Sequence, residues 1–425
     1  MLSAEENRII TQVGKGTPMG ELLRRYWHPI AGEAELSENP IKPVRLFGEE
    51  LVLFKTRSGE VGLVERHCPH RSADLAHGMV EEHGLRCNYH GWCFSKDGIA
   101  IDRPFEDEGK KNPARLKLAT TYPIQVKSGL IWTYMGPQPA PLLPDWEPFS
   151  WENGFVQVII STVPCNWFQC QENSIDPIHF EWMHENWGSY LQGKQVKAPR
   201  HIKIEFDEID EGFVYRRIKE DTDEDDEIWT TGRVCLWPNG FFLGEHFEWR
   251  VPIDDENTLS VTWKYTRVPR ESEPYRQDVI PTWQGPVFDE SGAWITTHVM
   301  NQDFLAWAGQ GRVTDRTREL LGKSDRGILM IRKRFFEDIE RIKRGEDPKA
   351  VLRDPAINSR IPLPVTDREL LTGSFTRDEI TLNKRLKLLR TTFFLHAGQP
   401  DSVRREFEDA IGLGDSGFRG LMQSR

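Results

Sequence analysis

At 425 residues the chain is long enough for two domains or one large one. Its 55 Lys and Arg against 66 Asp and Glu leave a formal charge of −11, which speaks against a broad nucleic-acid surface. The 15 Trp and 22 Phe exclude the aromatic-poor composition of a disordered chain. Residues 1–43 read as a helical N-terminal segment: Thr17-Pro18 opens a helix through Met19–Trp27, and Pro29 stops it. The opening MLSAEENRII lacks the basic-then-apolar pattern of a signal peptide, and no run approaches the ~18 apolar residues of a membrane helix. From Val44 the hydrophobic period shortens to two. Val44–Phe47, Leu51–Phe54 and Val61–Val64 read as strands with turns at Gly48-Glu49 and Ser58-Gly59. Gly98–Asp102, Tyr122–Val126 and Gly129–Tyr134 continue the pattern. Residues 44–145 are therefore expected as a small antiparallel β-domain, closed by a stiff linker with Pro137, Pro139, Pro141 and Pro144.

Residues 146–425 mix both periods. Phe155–Val163 reads as a strand and Asn166–His184 as one or two helices. Strands return at His201–Phe206, Gly212–Lys219, Thr230–Leu236, Phe241–Val251 and Thr258–Val268, with Glu220–Glu227 as a solvated acidic loop. A helix is expected from Asp315 to about Arg344, then a Pro-rich loop over 354–364 and two short helical patterns. The fold class is α+β: a small antiparallel β-domain, then a larger α+β domain with a central antiparallel sheet flanked by helices.

Six Cys in so long a chain do not make a disulfide framework. In a protein expected to be cytoplasmic, Cys beside His points to metal. Cys68-Pro69-His70 is followed, after sixteen residues, by Cys87-Asn88-Tyr89-His90-Gly91-Trp92. Zinc fingers group like ligands together. Here each loop pairs one thiol with one imidazole, which suits a [2Fe–2S] cluster with two thiolates on one iron and two imidazoles on the other. Zinc on the same four residues is the alternative, as are two buried Cys with two surface His. His67, His77 and His83 break the spacing and read as surface residues or supports, and Cys93 as a buried strand residue.

These residues resemble the C-x-H-x₁₆-C-x₂-H motif of Rieske non-haem iron oxygenases. A second segment, Glu172–His184, is similar to the D-x₂-H-x₄-H iron motif of the same family through Asp176, His179 and His184. Taken alone, the two histidines read as ordinary polar residues. On an α-helix, residues five apart splay by about 140°, so bending or a helix end is needed for His179 and His184 to reach one ion. The resemblance implies a mononuclear Fe(II) on both, completed by a distant carboxylate. The segment Asn301–Gly311 resembles phthalate-dioxygenase-type oxygenases, whose carboxylate ligand sits in a Gln-Asp pair, and so implies Asp303. Ala308 and Gly309 stand where related sequences often carry Glu. Asp315 is the competitor, though Thr314-Asp315 reads as a helix cap. Gly16–Trp27 also looks like phthalate-dioxygenase-type subunits, and Arg233–Val251 like dehydrodivanillate O-demethylase-like members.

The resemblance implies a Rieske domain at 44–145 and a catalytic mononuclear iron domain at 146–425, with the helical segment 1–43 packing on the latter. It implies an oxygenase subunit that activates O2 to hydroxylate or O-demethylate an aromatic, carboxylated substrate, with a place in aromatic catabolism. A Rieske-type electron-transfer protein is the rival reading, but about 100 residues would suffice for one. No G-x-G-x-x-G follows a strand, so electrons are expected from a separate NAD(P)H-dependent reductase, with or without a ferredoxin. Asp176 matches the family's bridging residue between the cluster of one subunit and the iron of its neighbour in a homotrimer or dimer of trimers. A substrate carboxylate calls for an Arg; Arg233 and Arg250 lie on expected strands and are the candidates. Trp167, Phe168, Phe180 and Trp182 are expected either to line an apolar pocket or to fill the core. No nucleic-acid or membrane partner is expected.

Overall fold

Among the described residues the alternating segments pair into four sheets. The computed structural model describes residues 1–110, 115–195, 197–391 and 398–412. Strands Ile41–Leu46, Glu49–Lys55, Val61–Glu65 and Thr121–Tyr122 form one antiparallel sheet. Met79–Val80, Leu85–Arg86, Cys93–Phe94 and Ala100–Asp102 form a second. Val52, Phe54, Val64, Leu75, Leu85 and Phe94 bury one core that also holds Cys68 and Cys87.

The N-terminal segment is only partly helical. Thr17 caps the helix Pro18–Leu23 by accepting from the Gly20 N–H, and the helix ends there. Trp27–Gly32, expected as helix end and stop, is a strand paired with Leu130–Tyr134, and its register shifts between Pro29 and Ala31. Pro29 brings no N–H to a ladder, and a bulge is where a strand tolerates it. The strand Ile41–Leu46 runs across residue 43, so the helical segment and the β-region meet within one strand.

The large sheet has eight strands, in the order 201–209, 212–219, 233–236, 240–242, 246–252, 258–267, 154–163 and 282–284. All pairings are antiparallel except the last, which is parallel. The stretch 241–251, read as one strand, is two, joined by a turn in which Gly244 holds φ +64°. Helix Trp167–Asn173 is held between this sheet and helix Arg326–Lys343. Gln171 donates to the Leu236 and Gly240 carbonyls, while Trp167 and Phe168 pack edge-on against Phe335. The long helix starts at Arg326 rather than Asp315. Asp315 caps its own turn by accepting from the Thr317 N–H and hydroxyl, and fully buried Arg316 turns inward to Glu172. Among the described residues, four short helices follow residue 367 where two were expected: Arg368–Thr372, Arg377–Leu382, Lys384–Thr391 and Asp401–Ile411. Among the described residues no helix is long and apolar enough to cross a membrane.

Candidate functional site

Each Cys-His pair sits on a tight loop. The Cys68 N–H donates to the Ala73 carbonyl and the Ser72 N–H to the Cys68 carbonyl, both at 2.8 Å. The Cys87 N–H donates to the Trp92 carbonyl at 2.8 Å and the Gly91 N–H to the Cys87 carbonyl at 3.1 Å. Ser72 at φ +55° and Gly91 at φ +75° supply the left-handed residue each turn needs. The loops bring the His70 and His90 rings to 4.6 Å, and His70 stacks on Trp92 at 4.5 Å. The thiols are buried and the imidazoles half-buried. Burial, with the Cys87 thiol beside it, pushes the Cys68 thiol up to about 11, so a metal taking it must displace its proton. Two buried thiols and two outer imidazoles fit the donor set of a Rieske-type [2Fe–2S] cluster. His67, His77 and His83 are exposed, and Cys93 is buried on its strand.

The backbone answers the five-residue spacing of the second motif. Phe180–Trp187 is a π-helix with His179 at its N-cap, and i→i+5 hydrogen bonds widen the turn. The His179 and His184 rings lie 5.4 Å apart. Helix Val299–Gly309 delivers Asp303, whose Oδ1 is 3.8 Å from His179 Nε2 and 3.5 Å from His184 Nε2. The three potential ligand atoms lie within 4.8 Å of one another. His184 Nε2 is buried with no hydrogen-bond partner among the described residues. Two imidazoles and one carboxylate around one point fit Fe(II) with open coordination positions. Asp315 is exposed and engaged with Thr317.

Supporting groups surround this triad. Gln302 Oε1 accepts from His184 Nδ1 at 2.9 Å, and Asn173 Nδ2 is 3.4 Å from Asp303 Oδ1. Burial opposes the His184 imidazolium, but Asp303 and Gln302 outweigh it and hold its pKa above the ordinary value. A cation in the triad takes over that positive charge. Asp176 Oδ1 accepts from the Ile178 N–H at 2.8 Å, and Oδ2 faces His179 Nδ1 at 3.7 Å. Neither Gln302 nor Asn173 stood out in sequence; the signal available for Gln302 was its place beside Asp303.

A narrow cavity of about 20 Å³ opens on the triad. Phe180, Phe241, Leu243, Val299 and Met300 give it an apolar wall; Asn173, His246, Glu248 and Arg250 give it a polar one. Of the four expected aromatics, Phe180 lines the cavity, Trp167 and Phe168 are core, and Trp182 is 65% exposed. Burial, then Asp303, push the Glu248 pKa up against the Arg250 guanidinium 2.8 Å away. Arg233 stacks on the Phe180 ring at 4.1 Å, and its Nε and Nη1 have no partner among the described residues. Burial, then Arg217, push the Arg233 pKa down, an environment that an anion relieves.

Residues 26–123 match the Rieske [2Fe-2S] domain family. The chain is 57% identical over 419 residues to the 5,5'-dehydrodivanillate O-demethylase oxygenase subunit of a Sphingobium species, covering 97% of this chain and 98% of the relative. It is 30% identical over 412 residues to the phthalate 4,5-dioxygenase oxygenase subunit of Pseudomonas putida, covering 85% and 91%. Among solved structures, NdmA of Pseudomonas putida CBB5 shares the fold, with a TM-score of 0.56 at 19% identity over 82% of this chain and 97% of that one. The chain belongs to the Rieske non-haem iron oxygenases, as an oxygenase component that uses O2 with a [2Fe–2S] cluster and a mononuclear iron.

Proposed function

We propose that the chain O-demethylates an aryl methyl ether that also carries a carboxylate. The observation that carries this is the 57% identity, over 97% of the chain, to an O-demethylase oxygenase subunit. In this reading Cys68, His70, Cys87 and His90 hold the cluster within 44–145, and His179, His184 and Asp303 hold the iron within 146–425. When bound, the cluster supplies single electrons and Fe(II) supplies open positions for O2. The rest is work of the chain. Buried thiols and imidazoles hold one centre, and Gln302 and Asp176 orient the imidazoles of the other. Phe180, Phe241 and Leu243 keep water from the cavity. At the substrate, one oxygen atom enters a methyl C–H bond, giving a hemiacetal that collapses to a phenol and formaldehyde. The balance consumes O2, two electrons and two protons, and releases water.

For the carboxylate, Arg233 has Nε and Nη1 unpartnered among the described residues beside Phe180, whereas both Nη atoms of Arg250 rest on Glu248 and only its Nε is unpartnered. Arg233→Met is expected to raise KM at least 100-fold, since an unpaired buried carboxylate costs about 3–5 kcal/mol; unchanged kinetics removes Arg233 from this role. Electrons come from a separate NAD(P)H-dependent reductase, with or without a ferredoxin, and the working assembly is a head-to-tail homotrimer or a dimer of trimers. A cytoplasmic setting suits six free, buried cysteines. Ring dihydroxylation is the second reading, favoured by the likeness to phthalate 4,5-dioxygenase. Incubation of the loaded protein with a surrogate reductase and 5,5'-dehydrodivanillate tests both. One formaldehyde per O2 supports demethylation; a diol without formaldehyde selects the second reading.

A further inference from the structure

We infer that Glu248 recognises a phenolic hydroxyl on the aromatic substrate, and that Arg250 holds Glu248 in place instead of meeting the substrate. This rests on the reading of the cavity as the substrate site. Glu248 and Arg250 are two residues apart on the strand His246–Pro252, so both project from one face of the sheet. Both line the cavity shared by His179, His184 and Asp303. Glu248 is 1% exposed and Arg250 2%. Arg250 Nη2 lies 2.8 Å from Glu248 Oε2, and Nη1 donates to the Glu248 carbonyl at 3.0 Å. The guanidinium also stands 5.6 Å from the Phe241 ring centre and 5.3 Å from that of Trp307. A carboxylate, a carbonyl and two rings therefore pin it. The other Glu248 oxygen, Oε1, accepts the Ser260 hydroxyl at 2.7 Å from the neighbouring strand.

An ionised carboxylate has about four lone-pair sites. Arg250 and Ser260 use two and fix the orientation of the group. Acceptor capacity remains in a buried site beside apolar Phe241 and Leu243, where an unfilled acceptor is costly. A substrate carboxylate cannot meet this need: it would face a negative group whose neighbouring guanidinium has both Nη atoms on Glu248 and Nε alone unpartnered among the described residues. A methoxy oxygen is itself an acceptor. A hydroxyl on the ring is the matching group, because O–H donated to a carboxylate makes a short, strong bond. Sites built to bond a substrate hydroxyl discriminate steeply against analogues without it.

The test uses the cluster- and iron-loaded protein. Anaerobic calorimetric titration compares 5,5'-dehydrodivanillate with the analogue whose phenolic oxygens are methylated, and formaldehyde release is then measured with the surrogate reductase. The wild type is expected to bind the phenol about 100-fold more tightly than its methylated analogue. Glu248→Leu should bring the two within about threefold without changing iron content. The double variant Glu248→Leu/Arg250→Met leaves no unpaired buried guanidinium and guards against misfolding of the single variant; it should lose the preference equally. Full preference in both Glu248 variants, or none in the wild type, overturns the inference. Binding of the phenol without formaldehyde release defeats the O-demethylase reading while the binding ratios still decide Glu248. Binding of neither compound defeats both.

Discussion

Gln302 Nε2 donates to the Thr296 carbonyl at 3.0 Å, which leaves Oε1 to accept from His184 Nδ1 at 2.9 Å. That contact places the proton on Nδ1 and turns the Nε2 lone pair toward Asp303. Loss of such a partner lowers metal affinity by about 10–100-fold. Gln302→Leu should weaken Fe(II) binding by that factor in competition with a chelator, and Gln302→Glu, which keeps an acceptor, should restore it. Equal affinity in wild type and Gln302→Leu would show that His184 needs no such support. Asp303 carries a stronger expectation. Asp303→Ala should lose the mononuclear iron and all oxygenation while the visible spectrum of the cluster persists, and Asp315→Ala should do neither. The reverse pattern would identify Asp315 as the ligand. The candidate ligands stood out in sequence through resemblance to the family's two metal motifs; His179 and His184 alone read as ordinary polar residues. Gln302 did not stand out: its partner lies 118 residues away, and one amide in a helix carries no signal of its own.

The element that brings His179 and His184 together is the π-helix Phe180–Trp187 with His179 as its N-cap, and its trace in sequence was the awkward five-residue spacing of the two histidines. Spacing alone showed that an α-helix would not serve, but not which departure from it would. The strands with clean alternation were legible for the opposite reason: one face is buried, so the period of two is enforced. Trp27–Gly32 escaped because all six of its residues are buried and Pro29 mimics a helix stop. That strand is held by His28, which is fully buried. Its Nε2–H donates to the Leu23 carbonyl at 2.8 Å, and Nδ1 accepts from Asn239 at 3.3 Å. The Nδ1 bond needs the neutral ring, and burial, with Arg24 nearby, lowers its pKa to about 4 against the Leu23 carbonyl, which favours the charged form. The unfolded chain protonates near 6.5 and the folded one near 4, so stability is lost as pH falls through this window, by up to about 3 kcal/mol. His28→Gln keeps the donor but does not titrate. Denaturant unfolding at pH 7 and pH 4.5 should show the stability gap between wild type and variant narrowing by about 2–3 kcal/mol on acidification. A constant gap would mean that His28 titrates alike in both states.

At the scale of the whole molecule, the two candidate centres occur on different elements of one chain, one on two tight loops and the other on a π-helix and an α-helix, and each has an edge at the surface. On the cluster side, Tyr89 is 57% exposed next to half-buried His90. On the iron side, the Asp176 side chain is 29% exposed and Trp182 is 65% exposed. In the proposed head-to-tail trimer these two surfaces meet between neighbours, so a closed heterologous ring becomes part of the electron path and not only of stability. Asp176 is suited to the junction. One oxygen is fixed by the Ile178 N–H, and the other faces His179 Nδ1, where it can set the imidazole tautomer. The remaining lone pairs are free to accept from a neighbour's cluster histidine. Asparagine has the same shape and one acceptor oxygen, but no charge and one fewer strong acceptor. Asp176→Asn should therefore keep the fold, both metals and the trimer, yet slow electron transfer by about 100-fold. Mixing the reduced protein with substrate and O2 in a single turnover, while following the cluster's visible absorption, measures that step directly. Cluster oxidation at the wild-type rate in the variant would exclude Asp176 as the bridge, and a fully active monomer would exclude transfer between subunits altogether.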